Sequence, residues 1–241
     1  MKVFAISDLH LSLAEPFVKG GHNPLIKPMD KFGDQWEDYH EKIYDNWHSL
    51  VTKEDYVLMP GDTSWGLRLA DCVHDFDFLA QLPGTIILGR GNHDYWWQGI
   101  TKLKAALPDN VIPLHHDAVQ VGSKMVCSTR AWSLPGSPDW CASDEKIYQR
   151  ELLRLEMGLE AAQKKALPIV AMLHYMPLYS DGRGSGFSDL LEEYQVQICV
   201  YGHLHGARCR DAVNETIRGI EYQNVSCDAL DFWPVLIWEE E

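Results

Sequence analysis

Five short clusters carry side chains able to hold a cation or move a proton: Asp8-x-His10, Gly61-Asp62, Gly91-Asn92-His93-Asp94, His174, and Gly202-His203-Leu204-His205. Their donors are carboxylate and amide oxygens and imidazole nitrogens, with no thiolate. That set suits Mn, Fe, Zn, Ni or Co better than a structural zinc site built from cysteines or an all-oxygen Ca or Mg cage. Seven of these residues, Asp8, His10, Asp62, Asn92, His174, His203 and His205, are candidate ligands, more than a single ion takes. They suit two divalent transition-metal ions sharing a carboxylate, the arrangement that clamps the attacking and leaving oxygens of an in-line phosphoryl displacement. In extended backbone the i, i+2 spacing turns Asp8 and His10 toward one ion, and the same spacing turns His203 and His205 together.

Each cluster follows a short apolar, β-branched run. Such runs predict strands over residues 3–6, 56–59, 85–88, 111–114, 125–127, 169–173, 196–201, 222–225 and 235–238. Helical periodicity covers 35–51, 67–82 and 144–165, the last with Ile147, Leu152, Leu155, Leu159 and Ala162 on one face and Ser143 as its N-cap. Strand and helix alternate in the first half, whereas the end of the chain is strand after strand, so an α/β layered fold with both parallel and antiparallel pairing is expected. Sites in such folds form beyond the carboxyl ends of strands, where these clusters fall. No repeat, linker or shift of composition divides the chain, which reads as one domain over 1–241. Irregular stretches at 12–34 and 181–186 are long enough to be functional or mobile.

Gly-Asn-His-Asp arises by chance on the order of once in a thousand chains of this length, and Gly-His-x-His about once in a hundred. Taken in order, the clusters resemble the calcineurin-like metallophosphoesterase superfamily, whose pattern is D-x-H, G-D, G-N-H-[DE], H and G-H-x-H; the match runs from Asp8 to His205. The resemblance implies a double β-sandwich of mixed sheets flanked by helices. It also implies a two-metal centre with Asp8, His10, Asp62 and His205 on one ion and Asp62, Asn92, His174 and His203 on the other, Asp62 bridging. His93, paired with Asp94, would stand by the substrate as the catalytic histidine. More narrowly, Gly61-Asp62-Thr63-Ser64-Trp65, Asn92-His93-Asp94-Tyr95-Trp96-Trp97 and Tyr201-Gly202-His203-Leu204-His205-Gly206 resemble a bacterial subgroup of predicted phosphohydrolases. Thr63-Ser64-Trp65 departs from the commoner hydrophobic-then-acidic continuation, so no substrate carries over from better-known members.

The activity so implied is hydrolysis of a small phosphorylated substrate, a phosphomonoester, phosphodiester or nucleotide, by in-line attack of metal-bound hydroxide. A nuclease is the alternative among enzymes, and an interaction scaffold like the retromer subunit the alternative outside them. With 21 Lys and Arg against 35 Asp and Glu, the formal charge of −14 opposes attraction to long nucleic acid. Arg130 reads either as a catalytic clamp on phosphate oxygens or as a structural ion pair, and Arg183 has the same two readings. Trp96 and Trp97 either pack in the core or wall the pocket, and the aromatic stretch 36–47 either forms an amphipathic helix alone or caps the site as well. The first residues lead directly into a strand, no run approaches the roughly 18–20 apolar residues of a membrane span, and the six scattered cysteines read as reduced. A cytoplasmic location with no membrane partner is the expectation.

Overall fold

Short runs that are apolar at every position bury both faces of a strand, and here they assemble into two sheets. In the computed structural model, which describes residues 1–240, the chain runs β1 (Lys2–Ala5), α1 (Tyr39–Leu50), β2 (Tyr56–Met59), α2 (Val73–Gln81), β3 (Thr85–Leu88), α3 (Ile100–Ala106), β4 (Val111–Pro113), β5 (Ala118–Val121) and β6 (Lys124–Thr129). It continues through α4 (Glu145–Gln163), β7 (Ile169–Leu173), α5 (Gly186–Glu193), β8 (Ile198–Tyr201), β9 (Thr216–Ile217), β10 (Ile220–Asn224) and β11 (Val235–Glu239). One sheet has the order β11-β1-β2-β3-β4 and the other β5-β6-β7-β8-β10-β9. Each has a parallel centre, with antiparallel partners at its edges: β11 on β1, β5 on β6, and β9 on β10. The mixed pairing expected from the strand-rich end is present, and β10 and β11 serve different sheets.

Alternation sorts the side chains into three apolar layers. Val3, Ala5, Leu58 and Ile87 of the first sheet meet Val126, Val170, Met172 and Val200 of the second between the sheets. Phe4, Val57, Met59, Ile86 and Leu88 point the other way, onto α1, α2 and α3. Cys127, Ala171, Leu173, Cys199 and Tyr201 point outward from the second sheet onto α4 and α5. The result is the double sandwich of mixed sheets flanked by helices. Each fully buried Val, Leu or Ile contributes about 1.5–3 kcal/mol relative to exposure, so the two sheets, and the loops at their ends, are held in fixed register.

Several local expectations differ from the structure. The helix expected over 35–51 is interrupted: a one-turn 3-10 helix at Asp34–Trp36 is followed by Asp38 in left-handed backbone (φ 48°), and α1 starts only at Tyr39. The helix over 67–82 likewise opens with a 3-10 turn, Leu69–Cys72. Ser143 is not the N-cap of α4. It lies inside the 3-10 turn Ala142–Asp144, and the Asp144 carboxylate accepts from the Cys141 N–H at 2.9 Å. Helices α3 and α5 and strand β5 went unforeseen. Among the described residues no helix is long and apolar enough to cross a membrane, and all six cysteines are free thiols.

Candidate metal centre

The loops leaving β1, β2, β3, β7 and β8 carry the five clusters, and all emerge from the carboxyl ends of parallel strands. Backbone contacts lock them to one another. The Asp8 N–H donates to Gly61 O (3.0 Å), His10 N–H to Asp62 O (3.0 Å), His93 N–H to Asp62 Oδ1 (2.7 Å), and Gly202 N–H to His174 O (3.0 Å). The motif glycines follow from this crowding: a Cβ on Gly61 would strike the backbone of Gly91, one on Gly91 would strike Asp62, and one on Gly202 would strike the Asp8 carboxylate and Ser7 Oγ.

Asp8 (φ 61°), His10 (45°), Asp62 (52°) and His203 (72°) all take left-handed backbone. Conformations of that kind cost of order 1–3 kcal/mol each and persist only where the surroundings over-determine them. They also correct the spacing argument. The extended strand ends at Ala5, so Asp8 and His10 share a side because the loop turns, not because a strand alternates. His203 and His205 part company: Asp8, His10 and His205 form one group of converging donor atoms, and Asp62, His174 and His203 form the other.

Asp62 lies between the groups, its Oδ2 being 3.4 Å from His174 Nε2 and 3.8 Å from His10 Nε2. Asn92 Oδ1 meets His174 Nε2 at 2.7 Å, which adds it to the second group. The Nε2 atoms of His10 and His205 face each other at 3.2 Å, and His205 Nε2 is 3.3 Å from Asp8 Oδ1. Nitrogens and oxygens so arranged suit a shared cation. Burial favours protonating Asp8 and Asp62, yet His205, His174 and His10 hold both carboxyls well below the usual range. Burial pushes His10 down to about 4 and His203 down to about 3, against the nearby carboxylates. His10 and His203 are therefore neutral imidazoles beside two carboxylates, the protonation a metal requires, whereas burial would lower His174 but Asp62 holds it above the usual range. His205 differs: burial would lower its pKa, but Asp228 and Asp8 hold it up at about 10.

His93 stands at the rim of a cleft of about 240 Å³ lined also by Trp36, Trp65, His10 and His203. Its imidazole lies 4.5 Å from the Trp65 ring, and burial depresses its pKa. It is not paired with Asp94. The Asp94 carboxylate instead accepts three backbone N–H bonds, from Asp62 (2.9 Å), Thr63 (3.0 Å) and Gly91 (2.7 Å), and ties the second loop to the third. Burial, with Asp62 nearby, raises its carboxyl to about 7. Arg130 is engaged with Glu151 at 3.2 Å and stacked over Trp132, which gives it the structural of its two readings. Arg183 is exposed and paired with Asp181 at 2.7 Å. Trp96 is fully buried against Phe76, and Trp97 is also in the core. From the stretch 36–47 only Trp36 reaches the cleft; His40 is buried against Phe17.

Four residues at the centre escaped the sequence reading. Asp228 accepts from His205 Nδ1 at 2.9 Å and from the Gly206 N–H at 2.8 Å, orienting the ring with Nε2 toward the centre. Trp65 stacks on His10 at 4.5 Å, Tyr175 on His203 at 3.9 Å, and the Lys27 ammonium sits 3.3 Å above the Trp65 ring. Trp65 carried a signal, since Thr63-Ser64-Trp65 departs from the commoner pattern. Here Ser64 Oγ donates to Asp75 (2.5 Å) and Trp65 roofs His10. Asp228 carried none, standing 23 residues from His205.

A double sandwich with two Asp–His groups at the shared end of its parallel strands has the architecture of the calcineurin-like phosphoesterase family. The chain belongs to the calcineurin-like phosphoesterase family, whose sequence model matches residues 1–207. Among solved structures it is similar to a protein of unknown function from Aquifex aeolicus, with 16% identity, TM-score 0.52, and 98% of this chain and 95% of that one covered. It is also similar to the anchor GAP50 of the inner membrane complex of Plasmodium (15%, 0.46, 95% and 72%) and to an archaeal phosphodiesterase (14%, 0.41, 94% and 84%). At these identities the likeness concerns the fold alone. No curated protein matches the chain.

Proposed function

We propose that the protein is a dinuclear metal-dependent phosphoesterase acting on a small phosphorylated molecule. The observation that carries this is the position of Asp62, whose one carboxylate reaches His10 of the first group and His174 of the second. Asp8, His10 and His205 would hold one divalent cation, and His174, His203 and Asn92 the other, with Asp62 between them. When bound, such a pair offsets charge on a phosphoryl group and lowers the pKa of water. The chain's own residues do the rest. Asp228 keeps the proton of His205 on Nδ1, and Asp94 holds the second and third loops in register. His93, which has no carboxylate partner of its own, is free to meet the leaving oxygen and donate a proton to it.

The cleft walls, Met29, Phe32, Trp36 and Trp65, exclude water and leave room for a small ester. The formal charge of −14 and the modest cleft favour such a substrate over long nucleic acid. The test is a panel of aryl and alkyl phosphomonoesters and of linear and cyclic diesters, with Mn, Ni, Zn and Mg supplied in turn after chelation. Activity lost on chelation and restored by a transition metal is expected. Undiminished turnover after verified metal removal overturns the proposal, and a metal-loaded protein that turns over nothing points to a scaffold.

A further inference from the structure

A cavity of about 660 Å³ lies apart from the metal cleft. It lies at the edge where the first sheet hands the chain to the second, beneath α3 and beside β4 and the segment leading into β5. None of the candidate metal ligands lines it. Its volume falls within the roughly 300–1,000 Å³ of small-molecule sites.

The charge of its walls is opposite to that of the chain. Arg90, Lys104, His115, His116 and Arg154 face it, against the single carboxylate of Asp117, which caps its own backbone by accepting from the Ala118 N–H at 2.8 Å. In a protein with 35 acidic residues, Arg90 and Lys104 left without a carboxylate partner need a reason. The carboxylates whose charge reaches Arg90 are Asp94 and Glu151, and both are engaged elsewhere. Asp94 holds three backbone N–H groups, and Glu151 already takes Arg130, Arg150 and Arg154.

Donors are also left without acceptors. Among the described residues the buried Nε of Arg90 and both ring nitrogens of His115 have no partner. Leaving buried polar atoms without partners is costly, so a wall with several of them is suited to something that supplies acceptors. Burial, with the positive charges of Arg154, His116, Arg90 and Arg130 around it, pushes His115 down to about 2. The ring is therefore neutral, with one N–H to give, and the field about it is positive. Apart from Gln98 the remaining lining is apolar, with Trp97, Ile100, Ile112 and Pro113 among it.

We propose that this cavity is a second ligand site, separate from the metal centre, which takes a phosphorylated small molecule with an apolar or aromatic body. The phosphate supplies the acceptors that Arg90 and His115 lack, Arg154 adds its charge from its place beside Glu151, and the body lies against Trp97 and Ile100. Charge-assisted hydrogen bonds to a dianion are the strong ones, and guanidinium groups match phosphate geometry.

The test is calorimetric titration of the metal-loaded full chain with phenylphosphonate, whose C–P bond resists hydrolysis, and in parallel with inorganic phosphate. Two classes of sites are expected for phenylphosphonate. His115→Phe, which keeps an aromatic ring beside Trp97, and Lys104→Glu, at an exposed position, each weaken one class about tenfold or more and leave turnover of p-nitrophenyl phosphate unchanged. Asp62→Asn removes the other class alone. If His115→Phe does not fold, Lys104→Glu carries the test. Tighter binding of phenylphosphonate than of phosphate supports the apolar body, and equal binding reduces the proposed ligand to the inorganic ion. A single class lost with Asp62→Asn, or two classes both indifferent to His115→Phe and Lys104→Glu, overturns the proposal.

Discussion

Glu151→Gln separates the two roles that Arg130 could have. Glu151 is fully buried, and its Oε1 accepts from Arg130 (3.2 Å), Arg150 (3.4 Å) and Arg154 (2.8 Å), while Oε2 accepts from Thr129 Oγ1 at 3.0 Å. The amide keeps the volume and loses the charge. Arg150, whose side chain is 48% exposed, loses little, because water solvates it. Arg130, at 10%, cannot be solvated without moving. Breaking a buried pair of this kind costs about 3–5 kcal/mol. At about 2–4 °C per kcal/mol for a chain of this size, the melting temperature should fall by roughly 6–20 °C. Chemical denaturation measures the free energy, and turnover at a temperature where the variant remains folded measures function. The expected result is a large loss of stability with turnover within about twofold of the parent, since the rates of structural variants follow the folded fraction. A loss of stability under 1 kcal/mol, or a hundredfold fall in kcat in the folded variant, would refute the assignment of Arg130 to the framework.

Three further expectations concern the centre and its supports. His93→Ala should retain its metals and lose more rate on alkyl than on p-nitrophenyl esters, by a factor within the roughly 10²–10⁴ of general acid catalysis; equal losses would make His93 a stabiliser of phosphoryl charge, and Asp94→Asn, which breaks backbone bonds instead, should leave the alkyl-to-aryl ratio as in the parent. Asp228→Ala should weaken cation binding about 10–100-fold, read by equilibrium dialysis at pH 9, where proton competition at His205 is weakest; unchanged affinity would remove Asp228 from the site. Burial raises the Asp75 carboxyl to about 6 against hydrogen bonds from Ser64 and Leu13, so the folded protein holds that proton more tightly than the unfolded chain, and stability falls as pH rises from about 4 to about 6. Asp75→Asn should match the parent at pH 4 and exceed it at pH 8 by up to about 3 kcal/mol; equal stabilities at pH 8 would contradict the linkage.

Most of the framework was readable because burial on both faces leaves an unambiguous sequence signal. Runs such as residues 85–88, apolar after Thr85, and 169–173, apolar at each position, appear as strands β3 and β7 with those bounds. What was missed had weak local signals. In β5 only Val121 is fully buried, and its pairing with β6 depends on the turn at Gly122, whose φ of 56° suits a two-residue hairpin loop. α3 buries Leu103 alone, and α5 is capped by Ser185 and Ser188 within a stretch rich in glycine. Helix α1 starts at Tyr39 because left-handed backbone at Asp38 interrupts the run, leaving Trp36 ahead of it with its ring 5.8 Å from that of His205.

The candidate ligands were legible as types and in order, because donor chemistry restricts them to a few residue kinds. Their partition between two groups was not legible from i, i+2 spacing, since left-handed backbone at Asp8, His10 and His203 breaks strand alternation. The partner of Asp94 could not be read either. Two N–H groups from the loop after β2 and one from its own loop claim it, and the first two are a tertiary fact. Asp228 belongs to the same class, and so does the stacking of Tyr175 on His203, although Tyr175 itself follows His174 in the chain.

Anomalous diffraction from crystals of the protein loaded with Mn or Zn tests the dinuclear assignment most directly. Two peaks about 3.5–4 Å apart are expected, one among Asp8, His10 and His205 and the other among Asp62, His174 and His203, with Asp62 touching both. A single peak, or peaks away from these side chains, would contradict it.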